Sequence, residues 1–187
     1  MEIIPYVEFQ GAWSLDDSVI VGIWHKMKSQ NLTDTVFYGG EIHDSFSFVS
    51  MFRNKANLVN VVVNDSNPVA LSWLNEFGPN YAKGHFCFFA DVWGNKTDEI
   101  GDMILDYWFD IPADLDVIIG QVPAHNRRAI EFVKRIGFTE LGTIPMLGHG
   151  IDPHKRVGDT LLYLTRGQHG KGEQRKYTSG NSEQRSG

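Results

Sequence analysis

Residues 117–142 carry the most specific pattern of the chain. A β-branched, apolar run leads into Asn126, and an amphipathic helix follows with Ala129 in its first turn. The side chain of Asn126 can cap this helix or hydrogen-bond a ligand. Gly137 ends the helix, since glycine accepts the left-handed conformation at a helix end, and Phe138 follows it. A generic strand–helix–strand unit would also use a capped helix, so the residue types alone leave both interpretations open.

The same run resembles the second acyl-CoA-binding segment of the GNAT superfamily of N-acetyltransferases. The shared pattern is a strand, Asn126-x-x-Ala129, an amphipathic helix, a Gly-Phe pair at 137–138 and a further glycine at Gly142. The resemblance implies an acetyl-CoA-dependent N-acetyltransferase that acts on an amine or a protein amino group. It also implies that Asn126 bonds the pantetheine arm and that Ala129 permits its close approach.

The resemblance places the first acyl-CoA segment between a strand and the helix that follows it. In the family, backbone N–H groups of a Gln/Arg-x-x-Gly-x-Gly/Ala loop hold the pyrophosphate at the helix N-terminus. Here Glu99 falls at the middle glycine, and its carboxylate with that of Asp98 opposes an anionic ligand. Alternatively, Thr97 caps the helix and the two acids interact with its dipole. The cofactor-binding residues predicted in this segment are Val92, Trp93, Gly94, Asn95, Lys96, Thr97 and Gly101.

Acetyl transfer within this family needs a base for the amine and an acid for the departing thiolate. His85 is a candidate base because its unperturbed pKa is near neutrality and it begins the predicted central strand. Asp91 lies on the same face of that strand, and Glu41 is a further candidate. Many members carry the acid as a tyrosine in the second helix, where this chain has Val133.

Hydrophobic periodicity predicts the elements that must position these residues. Helices are predicted after Asp16-Asp17, over 46–52, from Thr97 onward and over 126–136; strands are predicted over 58–63, 69–77, 85–92, 116–122, 139–144 and 159–165. This order indicates a mixed α/β sandwich. Together with the resemblance, it predicts a mostly antiparallel central sheet with helices on both faces.

Length and charge limit the remaining possibilities. We expect one domain over residues 1–166 and a flexible polar tail over 167–187, since the tail has almost no apolar residues. The net charge is −6, the tail contributes +2, and the body therefore carries about −8. Because nucleic-acid binding depends on Lys and Arg at phosphates, an acidic body favours a basic peptide or an amine as partner.

Cysteine and histidine usage predicts neither a disulfide nor a metal centre. Cys87 is the only cysteine, and His149, His154 and His169 do not have the spacing of zinc ligands. The lack of a basic, apolar leader or of a long apolar run predicts a cytoplasmic protein without a membrane span.

A second hypothesis is that the chain has this fold but does not catalyse a reaction. Asp98, Glu99 and Val133 depart from the enzyme pattern, so the chain could serve as a binding or structural component. It also has a diffuse likeness to acetyltransferase-like proteins of tailed bacteriophages, which predicts a place in a virion assembly or a homo-oligomer.

Overall fold

The computed structural model describes residues 1–110, 115–149 and 155–170. The strands are β1 (Glu2–Pro5), β2 (Glu8–Phe9), β3 (Ala12–Trp13), β4 (Leu58–Asn64), β5 (Asn67–Asn75), β6 (Tyr81–Phe88), β7 (Val117–Pro123), β8 (Thr139–His149) and β9 (Arg156–Thr165). The helices are α1 (Asp17–Ser29), α2 (Thr33–Val36), α3 (Ser45–Arg53), α4 (Asn95–Asp110) and α5 (Arg127–Arg135).

Seven of these strands form one sheet in the order β1-β4-β5-β6-β7-β9-β8. Every neighbouring pair is antiparallel except β6 and β7, which are parallel and joined through α4. A parallel pair requires such a crossover connection. The predicted mixed, mostly antiparallel sheet is therefore confirmed.

Helices cover both faces of the sheet, as predicted. On one face α1 and α3 bury Ile20, Trp24 and Phe48 against the sheet. On the other face α4 and α5 bury Ile104 and Phe132. Fully burying one such side chain contributes roughly 1.5–3 kcal/mol, so the two apolar layers fix the sheet between the helix pairs.

Local capping explains why α3 and α5 begin and end where the sequence predicts. Asp44 accepts a hydrogen bond from the backbone N–H of Ser47 at 2.7 Å and starts α3. Asn126 accepts one from the N–H of Ala129 at 3.2 Å and starts α5. Gly137 follows α5 with a φ of +104°, the left-handed conformation expected for a helix stop.

The central strand β6 differs from its prediction in position. It was predicted over 85–92, but it begins at Tyr81 and ends at Phe88, and Ala90–Val92 form a 3₁₀ turn. Gly84 lies inside the strand, where a Cβ atom would come within 2.7 Å of a methyl group of Ile118. Close packing against β7 and α4 requires glycine there and outweighs its low strand propensity.

Other boundaries also differ from the prediction. Strand β1 was not predicted; it pairs with β4 at the edge of the sheet. Strands β8 and β9 extend further toward each other than predicted, to His149 and from Arg156. The predicted tail is helical over 167–170, where His169 hydrogen-bonds Asp106, and its remainder lies outside the described residues.

Candidate functional site

The parallel pair of strands opens into a cleft. Strands β6 and β7 pair only from Tyr81 with Val117 to Lys83 with Ile119. Beyond this point β6 continues beside β5 and β7 continues beside β9, so the inner edges of both strands diverge. The cleft between them has a volume of about 790 Å³. Its walls therefore include strand backbone without a partner strand on the cleft side.

Two helix N-termini border this donor cleft, as we call the cleft between β6 and β7. Gly94 and Thr97 line it at the start of α4, and Asn126 and Ala129 line it at the start of α5. Gly94 has a φ of +101°, and its carbonyl accepts the hydroxyl of Thr97 at 2.6 Å. Helix N-termini present unpaired N–H groups and partial positive charge, so this end of the cleft suits an anion.

Arginine side chains add full positive charge to the same end. Arg127 and Arg128 are exposed in the first turn of α5, and Arg135 lies at its end; all three line the donor cleft. Guanidinium groups bind phosphate oxygens through paired hydrogen bonds. These arginines were not predicted from the sequence as cleft residues. The available signal was the Asn-Arg-Arg sequence at the helix start, directly after the strand that forms the cleft wall.

The carboxylate of Asp98, predicted to oppose an anionic ligand, is paired with an arginine. It accepts two hydrogen bonds from Arg135, each of 2.9 Å, which tie the first turn of α4 to α5. This pairing raises the pKa of Arg135 and offsets the negative charge at the cleft. The other acid, Glu99, is exposed and does not line the donor cleft.

Gly101 is a packing residue, which corrects its predicted place in the phosphate loop. It is buried in the second turn of α4, and a Cβ atom there would lie 2.9 Å from Cζ of Phe132. The helix starts earlier than the predicted loop register requires, so Gly101 faces α5 and not the cleft. A glycine at this point lets the two helices approach closely.

The remaining predicted cofactor residues divide between the cleft and its surroundings. Trp93 is 57% exposed and lines the donor cleft, and its indole N–H donates to the carbonyl of Phe88 at 3.0 Å. Lys96 has an exposed side chain in the first turn of α4, which Asn95 begins. Val92 is buried in the core, so only its backbone is available to a ligand.

His85 lies where the sequence analysis expects a catalytic group, but it is a weak base. Its ring stacks on Trp73 at 4.5 Å between centroids, and Nε2 lies 2.9 Å from the amide oxygen of Asn75. Burial, with a smaller contribution from the charge of Lys83, lowers the pKa of His85 to about 3. The imidazole is therefore neutral at physiological pH and accepts a proton poorly.

Asp91 does not reach the cleft, which corrects its prediction as a second base. Because β6 ends at Phe88, Asp91 belongs to the 3₁₀ turn and does not share the strand face of His85. Its carboxylate lies 2.7 Å from Nζ of Lys26, which lowers the pKa of Asp91. This side chain does not line the donor cleft.

A second cleft of about 860 Å³ meets the donor cleft through a shared wall. We call it the acceptor cleft; it is bordered by the segment after α2 and by the ends of β5, β8 and β9. The residues that line both clefts are Val36, Tyr38, Trp73, His85 and Gln121. Two molecules bound in the two clefts would meet at these side chains.

Tyr38 supplies a hydroxyl group at this junction. Burial, reinforced by the nearby carboxylates of Asp159 and Glu76, raises the pKa of Tyr38 to about 12. The phenol therefore stays protonated and can donate a hydrogen bond. Val133, at the position where the family often has tyrosine, lines the donor cleft without a polar atom. Tyr38 was not predicted as a site residue because it follows a short helix far from the recognised segment.

Acidic groups dominate the acceptor cleft. Glu41, Asp44, Glu76 and Asp159 line it, with Lys83 as its only lysine or arginine among the described lining residues. The cleft therefore has a charge opposite to that of the donor cleft. The His, Cys, Asp and Glu residues of the described ranges form no group of three or more that could hold a metal ion. None of the described helices is long and apolar enough to cross a membrane.

Comparison with known proteins identifies structural relatives only. No protein-family profile and no curated sequence matches the chain. Spermidine N-acetyltransferase from Vibrio cholerae, solved with CoA and spermine, is similar over 89% of this chain and 97% of its own, with 15% identity and a TM-score of 0.68. A chimera of that enzyme, SpeG, with hSSAT is similar over 90% and 99%, with 18% identity and a TM-score of 0.69.

A mutant of the Vibrio cholerae enzyme gives the same result, with 16% identity and a TM-score of 0.68 over 90% of this chain and 97% of that one. At these identities the likeness concerns the arrangement of the backbone. The seven-stranded sheet, the divergent parallel pair and the helices on both faces agree with it. The chain therefore has the fold of the GNAT N-acetyltransferases.

Proposed function

We propose that this protein is an acetyl-CoA-dependent N-acetyltransferase that acts on an amine. The observation that carries the proposal is the donor cleft: two strands diverge, and their open end meets two helix N-termini and three arginines. Acetyl-CoA has the matching shape and charge, since it joins an extended arm with peptide-like amides to a group of phosphates. The similar Vibrio cholerae enzyme was solved with CoA and spermine, which supports both ligands.

The phosphates of acetyl-CoA would lie at the start of α4, where Gly94, Asn95 and Lys96 offer backbone N–H groups and that of Thr97 already donates to the carbonyl of Gly94 at 3.1 Å. Phosphate at a helix N-terminus gains from both the N–H groups and the helix dipole. Arg127 and Arg128 have no carboxylate partner in the described part of the chain, so both are available to phosphate oxygens.

The pantetheine arm would follow the inner edges of β6 and β7 toward the junction. Its amides can pair with strand backbone there, as an added strand would. Asn126 uses its side-chain oxygen to cap α5, which leaves its amide nitrogen for the arm. Ala129, half-buried beside it, leaves space in the cleft wall.

Transfer would occur at the wall that the two clefts share. The amine binds as its ammonium ion and first loses one proton to water. The neutral nitrogen then attacks the thioester carbon, the C–N bond forms, the C–S bond breaks, and a second proton passes from nitrogen to sulfur, so that CoA leaves as the free thiol. Negative charge develops on the carbonyl oxygen and then on sulfur, and the protonated hydroxyl of Tyr38 is placed to donate a hydrogen bond to that charge. Neutral His85 contributes by positioning the reactants and not as a strong base.

Isothermal titration with acetyl-CoA and with CoA tests the first half of the proposal. We expect saturable binding of both ligands and transfer of the acetyl group to an aliphatic amine, with release of free CoA. The variant Lys55→Ala should bind acetyl-CoA like wild type, because Lys55 is an exposed cation in the loop between α3 and β4, away from the donor cleft. It is the matched control for variants of Arg127 and Arg128. No heat and no thermal shift at millimolar acetyl-CoA would contradict the proposal.

A further inference from the structure

Asp159 on β9 is a buried carboxylate with an unused oxygen. Its relative exposure is 0%, and Oδ2 accepts a hydrogen bond from Nε2 of Gln121 at 2.5 Å. Oδ1 is buried and has no hydrogen-bond partner. Buried polar atoms are satisfied in the great majority of cases, so this exception needs an explanation.

The carboxylate lies at the wall of the acceptor cleft beside the junction. Asp159 and Gln121 both line that cleft, and the negative charge of Asp159 contributes to the raised pKa of Tyr38. On the other side is Gly148 of β8, where a Cβ atom would lie 2.0 Å from Oδ1. The glycine keeps open the space that Oδ1 occupies.

The surrounding cations do not neutralise this charge. Nζ of Lys83, the one lysine among the described residues that line this cleft, lies 2.7 Å from Oε1 of Glu76. Within the described part of the chain, Asp159 forms no ion pair. A buried carboxylate without a cation is costly to the folded state, because burial removes its hydration and the hydrogen bond from Gln121 satisfies only one of its two oxygens. The missing partner is therefore expected to be a cation that enters the cleft.

We infer that Oδ1 of Asp159 binds the ammonium group of an aliphatic amine in the acceptor cleft once a side-chain movement exposes this buried oxygen, with Gln121 holding the other oxygen in place. The inference rests on the proposed N-acetyltransferase function and names the residue that selects its acceptor. An ammonium group donates to Oδ1 and supplies the positive charge that the protein lacks there. An alcohol of the same length provides neither the charge nor a comparably strong hydrogen bond.

The test compares n-pentylamine with 1-pentanol as ligands of the full chain saturated with CoA, so that no turnover occurs. We expect the amine to raise the melting temperature by several degrees and the alcohol to have no effect. In Asp159→Asn the amine shift should disappear, while the variant without amine melts above wild type because a buried, unpaired charge is gone. A melting temperature of Asp159→Asn below wild type, or equal shifts from amine and alcohol, would overturn the inference.

Asp65→Asn is the matched control, since it makes the same change in the exposed turn between β4 and β5 and should keep the full amine shift. Gly148→Ala is a second variant. Its methyl group would occupy the space of Oδ1, so the carboxylate of Asp159 must move, and the shift of the melting temperature by the amine should also disappear. An amine shift retained in either Asp159→Asn or Gly148→Ala refutes the role of Asp159. Failure of wild type to bind acetyl-CoA by titration would instead refute the proposed function, so the two failures are distinguishable.

Discussion

The donor cleft and the acceptor cleft share a wall but differ in charge. The donor cleft ends on two helix N-termini and Arg127, Arg128 and Arg135, whereas the described lining residues of the acceptor cleft include four carboxylates and one lysine. Because the two clefts carry opposite charge, an anionic donor would be attracted to the donor cleft and a cationic acceptor to the acceptor cleft. The net charge of the chain does not reveal this separation, because it averages both regions.

The largest expected effect comes from replacing the arginines at the positively charged end of the donor cleft that have no carboxylate partner among the described residues. The double variant Arg127→Ala/Arg128→Ala should weaken acetyl-CoA binding about 100-fold, since each hydrogen bond to a charged group contributes about 1.5 kcal/mol or more. Titration at two salt concentrations measures this loss and a shallower salt dependence. An unchanged dissociation constant would mean that the phosphates bind elsewhere, and Lys55→Ala should stay at the wild-type value.

The next largest effect is expected from a substitution in the wall that the two clefts share. Tyr38→Phe removes only the hydroxyl group and should lower kcat about 10- to 100-fold, because that hydroxyl would stabilise charge that develops during transfer. Steady-state kinetics should show kcat reduced while the dissociation constant of acetyl-CoA stays within twofold. If kcat is retained, the charge at the junction is stabilised by another group.

A smaller effect separates helix packing from cofactor binding at Gly101. Gly101→Ala places a methyl group 2.9 Å from Phe132 and should destabilise the fold by about 1 kcal/mol, since overpacking exceeds the gain in helix propensity. Gly22→Ala in α1 meets no atom within 4 Å and should stabilise the fold. Urea unfolding compares the two. If Gly101→Ala instead lowers the affinity for acetyl-CoA without a change in stability, Gly101 contributes to the phosphate site and not to helix packing.

A further expected effect is a pH dependence of stability that comes from His85. Its pKa is about 3 in the folded chain and near 6.5 when unfolded, so below pH 6.5 the unfolded state binds a proton that the folded state does not. Stability should therefore fall as pH decreases from about 6.5 toward 3. Thermal melts of His85→Gln should show a flatter profile over this range than wild type. Identical profiles would contradict the lowered pKa.

The sequence predicted the features that depend on local chemistry. The α5 segment is one of them, because Asn126 caps the helix and Gly137 ends it whatever the rest of the fold does. The order of the elements followed in the same way from hydrophobic periodicity. These signals lie within a few residues of the features that they specify.

The features that were missed depend on contacts between distant parts of the chain. Gly101 matched the last position of the phosphate-loop pattern, but α4 begins at Asn95 and packs this glycine against Phe132. Asp91 left the predicted strand face because β6 shifted by four residues. Asp159 and Tyr38 meet only when β9 and the segment after α2 come together, so neither stands out in the sequence.

The most direct test of the account is acetyl transfer itself, measured by mass spectrometry after incubation of the protein with acetyl-CoA and n-pentylamine. The account predicts stoichiometric N-acetylpentylamine and free CoA, with transfer strongly reduced in both Tyr38→Phe and the double arginine variant. Tight binding of acetyl-CoA without any N-acetylated product from n-pentylamine or spermine would contradict it. The donor cleft would then bind its ligand, but the acceptor cleft would not present an amine to the thioester.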